Sequence, residues 1–404
     1  MRPTANAAIP SSLVRRLTAS CSILLVVMFS PIQLMAQPTY KVLYNFTGGA
    51  DGAVPYATVI LDNAGNLFGT AESGGSSGKG TVFQLSPSQG GWTFNLVYTF
   101  TGGTDGAKPV GGVIVDATGN LYGTTSAGGG FCQCGTVYKL TPSQTGWTFQ
   151  VLHSFQGGSD GTSPAASLAF NGSRLAGTTT GGGRYNRGTA FTLPIAGGQD
   201  FVYSLNGING NQPWSSLYAG IIGTSYLGGK DGVGNVFVLP GNQIRPMHAF
   251  HLGTALGDHP LGNLISDSNN NLYGTTSQGG VGGRGTVYKM KPGNGRFVYG
   301  FSLVHSFSGP DGDYSDAGLV LDASGNLYGT TAFGGADAGY AGTVFKLTPG
   351  AKNKWTETLL HSFTGGSDGA NPYGGLAIDG AGNLYGTAIG GGTSGKGVIF
   401  QTTP

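Results

Sequence analysis

Three short blocks recur seven times each along this chain, and that repetition narrows its possible folds more than any other feature. The block GTVFQL at Gly80 returns as GTVYKLTP at Gly135, GTAFTLP at Gly188, GNVFVLP at Gly234, GTVYKMKP at Gly285, GTVFKLTP at Gly342 and GVIFQTTP at Gly397. A second block, GNLFGT or GNLYGTT, has its second glycine at Gly69, Gly123, Gly274, Gly329 and Gly386, with weaker copies at Gly177 and Gly223. A third, LHSF or a variant, ends at Phe46, Phe100, Phe155, Leu205, Phe250, Phe307 and Phe363. A fixed period of about 53 residues is the mark of a repeat architecture.

Each unit reads as four short strands. In the sixth they fall at 318–322, 326–331, 343–347 and 355–363, lettered A to D here. β-branched and aromatic residues fill the strands, and Gly, Asn, Asp and Pro fill the connections. The A–B link, Asp322 to Asn326, is a tight hairpin in which Asp caps its own turn and Gly325 supplies positive φ. Four-stranded units repeated seven times predict an all-β, seven-bladed propeller. Residues 40–46 form a D strand without its own A, B and C, and the chain closes with A, B and C without a D. The first strand is therefore expected to pair with the last three and close the ring. The fourth unit, about 207–250, is degenerate, and a six-bladed ring with an irregular insert is the alternative.

Composition agrees. Gly supplies 78 and Pro 19 of 404 residues, charged residues only 9%, so the chain is poor in helix formers and helical solenoids are excluded. Aromatic residues at 11% make a packed core feasible. Residues 1–36 read as a secretory signal peptide: Arg2, Arg15 and Arg16 precede an apolar run at 21–29, then a softer end at Ala36. The run is too short for a bilayer span of about 20 residues. Cleavage removes three Arg and no acid, moving the formal charge from +2 to −1. That balance predicts no nucleic-acid or membrane partner. Residues 37–404 are expected to form one propeller domain, secreted to the periplasm or medium, and a monomer. Cys132 and Cys134 form either a small disulfide or two free thiols.

The combination of LHSFTGG-x-DG-x-x-P, GNLYGTT-x-x-GG and GTVFKLTP resembles the GloVer tandem repeat of secreted bacterial proteins. It covers nearly all of residues 37–404 and is most specific in the second, sixth and seventh units. The resemblance implies propeller-like repeats and no shared activity. Members of that family carry varied C-terminal anchoring signals. This chain stops at Gln401-Thr-Thr-Pro404, right after a strand, which predicts release rather than anchoring.

Strand order places the B–C and D–A loops on one face. The repeated Asp of Gly-x-Asp-Gly (Asp51, Asp105, Asp160, Asp311 and Asp368 among them) is read as a turn residue bonding backbone N–H groups. His153, His248, His305 and His361 share a position with Tyr44, Tyr98 and Tyr203, which marks packing and hydrogen bonding. Asp311, Asp313 and Asp316 cluster as calcium ligands could, but no metal site or cofactor is expected, and Asp267–Asn271 is read as a turn for want of the remaining calcium-loop residues. No nucleophile elbow, phosphate loop or HExxH is present, and no catalytic residue is assigned.

Scaffold roles should repeat; specific recognition need not. The residue after the D–A loop Pro, or its equivalent, is Tyr56, Trp214, Asp316 or Tyr373 in four units and Val110, Ala165 or Leu261 in the others. Preceding the innermost strand, these should ring the channel mouth, where three aromatics and an acid could hold a sugar or other planar ligand. The third B–C loop concentrates Arg184, Tyr185 and Arg187 where other units hold Gly and Ser. The resulting expectation is a non-enzymatic binding or scaffold protein for an extracellular polysaccharide or surface protein. The alternatives are an extracellular lyase or hydrolase using Asp316, Arg184 and His259, and a purely architectural surface protein.

Overall fold

Strands of two to nine residues, joined by glycine-rich turns, arrange into seven antiparallel sheets. A computed structural model describes residues 37–196, 201–241, 243–293, 299–336 and 339–404. The signal-peptide expectation at 1–36 lies outside these. Blade 1 runs Ile60–Leu61, Leu67–Ala71, Thr81–Ser88 and Gly91–Thr99, in that order from A to D. The pattern repeats around the seven-bladed propeller. Blade 4 has three strands, Ile222–Ser225, Asn235–Val238 and Arg245–Ala249. Its A strand shrinks to one bridge between Tyr218 and Ile222, because this unit lacks the turn-capping Asp. In blade 6 that Asp322 accepts from the backbone N–H of Ser324 and Asn326, the Asn326 amide and the Tyr328 hydroxyl. Asp267 makes the same turn in blade 5.

The ring closes as the incomplete ends require. Thr39–Asn45 pairs antiparallel with Val398–Thr403, setting Val42 opposite Phe400. Blade 7 thus takes its outer strand from the start of the chain and its inner three from the end.

Two pairings explain why the repeated blocks look as they do. The second glycine of GNLYGT stands across from the aromatic of GTVF in every blade, for example Gly329 opposite Phe345 and Gly386 opposite Phe400. The ring lies over the glycine so closely that a Cβ on Gly329 would sit 2.6 Å from the Phe345 ring. The missing side chain is the room the ring fills. The following threonine ties blades together. Its hydroxyl donates to a carbonyl at the start of the next blade's A strand: Thr124 to Ala166 at 3.1 Å, Thr275 to Ala317 at 2.9 Å, and across the closure Thr387 to Ala57 at 2.9 Å. Seven such bonds encircle the channel. The apolar core is correspondingly divided into clusters between neighbouring blades, such as Phe46, Val59 and Phe83 with Tyr385 and Ile399.

The aromatic opposite glycine is Phe in five blades and Tyr138 or Tyr288 in the other two. Both tyrosine hydroxyls are buried without a hydrogen-bond partner. Tyr138→Phe and Tyr288→Phe should therefore each stabilise the protein by about 1 kcal/mol. Denaturant unfolding should show a higher midpoint with an unchanged slope; a lower midpoint would contradict this account.

Among the described residues no helix is long and apolar enough to cross a membrane. Cys132 and Cys134 are joined as a disulfide.

Candidate functional site at the channel mouth

The D–A loop builds the mouth. In each blade the residue three before strand A's first glycine or small residue sits in the left-handed region, with φ from 53° at Gln212 to 63° at Tyr314. That conformation is costly for a residue with a side chain. Paired backbone bonds hold it: Tyr314 N–H donates to the Arg284 carbonyl of the preceding blade, and its own carbonyl accepts from Ala332. Gln212 is held likewise between Arg187 and Tyr226. A bridge between the D–A loop and the end of strand B, such as Asp313 with Phe333, recurs in every blade. The turn aims the next residue but one into the channel.

All seven residues at that position line the throat, including Tyr56, Trp214, Asp316 and Tyr373. The throat is narrow, about 80 Å³, because seven inner strands converge on glycine and other small residues. A Cβ on Gly111 would meet the Ala166 carbonyl oxygen at 2.5 Å. Above it opens a cavity of about 570 Å³. Tyr56 and Tyr373 stack with centroids 5.1 Å apart, and Phe333 meets Tyr373 edge-on. Trp214 is 39% exposed. Tyr226, Tyr314, Gln212 and Glu72 complete the polar and aromatic wall.

Asp316 is the electrostatic centre. Its Oδ1 is buried and has no hydrogen-bond partner among the described residues, while the residue as a whole keeps some exposure to the channel. Burial pushes its carboxyl well above the usual range. Burial also raises the Tyr56, Tyr314 and Tyr373 phenols, and the Asp316 charge adds to the rise at each.

Other expected residues go elsewhere. Arg184, Tyr185 and Arg187 are exposed on the blade 3 loop, with Arg184 over the Tyr185 ring at 5.6 Å, and none of them lines the cavity. His259 pairs with Asp258 at 2.6 Å and packs on Tyr226. Asp316, Arg184 and His259 therefore do not converge. The three clustered carboxylates also diverge. Asp311 bonds His305 and Ser308, Asp313 pairs with Arg284, and Asp316 faces the channel. Among the described residues no group of His, Cys, Asp and Glu could hold a metal.

The repeated Asp and His are scaffold. Asp160 accepts from the Gln156 backbone N–H and meets His153 at 3.1 Å; Asp368 does the same with Thr364 and His361. Tyr44 and Tyr98 reach Asp51 and Asp105 in the same way. His248 lacks that partner in blade 4, and burial, with His251 nearby, pushes it down to about 4.

Sequence reasoning missed Glu72, Tyr226, Tyr314 and Gln212. A signal existed. Glu72 and Tyr226 occupy the position just after strand B's threonine or its equivalent, where the units hold Ser, Thr, Ala or Ile instead. That position varies as freely as the throat position does.

The sequence model of the Gloeobacter/Verrucomicrobia repeat matches residues 32–191, 133–303 and 221–404, which together span the whole propeller. The chain belongs to this family. No curated protein matches it in sequence. Among solved structures, this Gloeobacter/Verrucomicrobia repeat protein aligns with a protein provisionally named 6-phosphogluconolactonase from Bacteroides uniformis. The TM-score is 0.49 and the identity 15%, over 80% of this chain and 88% of that one. It also aligns with a gluconolactonase from Xanthomonas campestris, with TM-score 0.47 and 12% identity over 91% and 89% of the two chains. Overlaps this low assign no chemistry to the repeat protein.

Proposed function

We propose that this is a secreted, non-enzymatic binding protein that holds an extracellular carbohydrate at the channel mouth. One observation carries the reading: the positions where the repeats differ converge on one cavity of about 570 Å³, walled by Trp214, Tyr56, Tyr373, Tyr226 and Tyr314. Aromatic faces pack against the C–H faces of sugars, while Gln212, Glu72 and the phenols offer hydrogen bonds for hydroxyls. The scaffold residues repeat and the cavity residues do not, as expected when only the latter meet a ligand. A glycan array followed by calorimetry tests this. Trp214→Ala and Tyr373→Ala should each weaken the binding found by about tenfold or more. Absence of any glycan ligand, or full affinity in both variants, refutes the site.

A second reading is a polysaccharide lyase or hydrolase, favoured by two carboxyl groups, Glu72 and Asp316, lining one cavity. Release of new reducing ends from a bound polysaccharide, lost in Glu72→Gln, would select it over the first.

A further inference from the structure

The mouth differs from a simple sugar platform in its charge. Two carboxyl side chains line it, and no Lys, Arg or His side chain does, among the described residues. Asp316 lines this space, and one of its carboxyl oxygens, Oδ1, is buried without a donor. Buried acceptors are nearly always partnered, and leaving one unmade is costly. The scaffold does not require it, since the other six blades place Tyr, Val, Ala, Trp, Leu and Tyr there. Tyr56, Trp214, Tyr226, Tyr314 and Tyr373 line the same cavity, and aromatic ring faces attract cations. Buried acceptor, aromatic wall and missing counter-charge are complementary to one chemical group, an organic cation that carries N–H donors. A quaternary ammonium has the charge but no N–H to give the carboxyl group.

We infer that the cavity takes a sugar bearing a free primary ammonium, a glucosamine-type oligosaccharide, whose N–H donors meet Asp316 while its rings pack on Trp214 and Tyr373. This rests on the carbohydrate-binding reading and narrows it. The N-acetylated sugar loses the charge, and a neutral glucose oligomer has neither charge nor N–H.

Calorimetry on the full chain decides it, with three probes: glucosamine trimer, its fully N-acetylated counterpart, and cellotriose. The glucosamine trimer should bind about tenfold or more tightly than either other probe, the range of a charge-assisted hydrogen bond. Asp316→Asn should bring the three within about twofold of one another while the protein still melts cooperatively. Glu72→Gln, farther from the buried acceptor, should shrink the preference by a smaller factor and gives a second measure if the first variant is poorly folded. Equal binding of the acetylated or neutral trimer overturns the inference and leaves the carbohydrate reading standing. A preference that survives Asp316→Asn also overturns it. Binding of none of the three also overturns it, and the glycan array then decides the carbohydrate reading separately.

Discussion

Deleting residues 37–46 should abolish cooperative folding of the propeller. The deleted strand makes the whole outer edge of blade 7, pairing Thr39–Asn45 with Val398–Thr403. Its side chains reach further. The Tyr40 ring stacks on His361 of blade 6 at 3.7 Å, and its hydroxyl donates to the Asp368 carbonyl at 2.5 Å. Phe46 is wholly buried between blades 7 and 1. Full burial of Phe46 contributes about 1.5–3 kcal/mol, and the partly buried Tyr40 and Val42 each add a smaller amount. With the lost ladder bonds, the total approaches the roughly 5–15 kcal/mol that holds an ordinary domain together. The deletion also exposes the apolar edge at 398–403 for pairing with other chains. Circular dichroism and calorimetry should show no single sharp transition in the truncated chain. Fusing residues 37–46 after Pro404 should restore it, because the strand is then supplied from the other end of the same blade. A truncated chain that melts like the parent would mean that the closure carries little of the stability.

The fold was legible because its physical requirements repeat. A glycine opposite an aromatic, and a threonine reaching the next blade, must be present in each unit for the ring to close. Seven copies of GNLYGT and GTVF therefore show the architecture even where one copy decays, as at Gly223 and Phe237. The left-handed D–A turn was not legible, because Val54, Tyr314 and Gln212 share a backbone conformation but no side-chain type. The site was half legible. Divergence at the throat position pointed to Tyr56, Trp214, Asp316 and Tyr373, whereas Glu72 and Tyr226 are brought to them by backbone bonds between the end of strand B and the D–A loop, to Val54 and Gln212. Closeness along the chain is not convergence in space. Arg184, Tyr185 and Arg187 crowd one loop whose side chains point to solvent. Asp311, Asp313 and Asp316 lie within six residues, yet the turn sends each to a different neighbour.

Asp316→Asn should stabilise the unliganded protein at neutral pH and leave it nearly unchanged in acid. The folded-state pKa of Asp316 is raised by burial above the unfolded value of about 3.9. The native state therefore holds this proton more tightly than the unfolded chain does. That contribution is fully present below pH about 4 and is lost as pH rises through the folded pKa. The scaffold carboxyls behave oppositely. Burial alone would raise Asp116 and Asp311. Hydrogen bonds from Asn120 and Thr118, and from His305 and Ser308, overcome it and hold both at about 2. Their stabilisation is present above pH about 4 and is lost as pH falls through about 2, so they set the acid limit in parent and variant alike. Asparagine removes only the Asp316 penalty. The gap between variant and parent should open from near zero at pH 4 to about 1–3 kcal/mol at pH 8, the usual cost of a buried polar group left unsatisfied. Urea unfolding at the two pH values measures it, and a gap equal at both would show that Asp316 is solvated. A substitution that strengthens the fold while erasing discrimination among ligands would identify the carboxyl as held for recognition at the expense of stability.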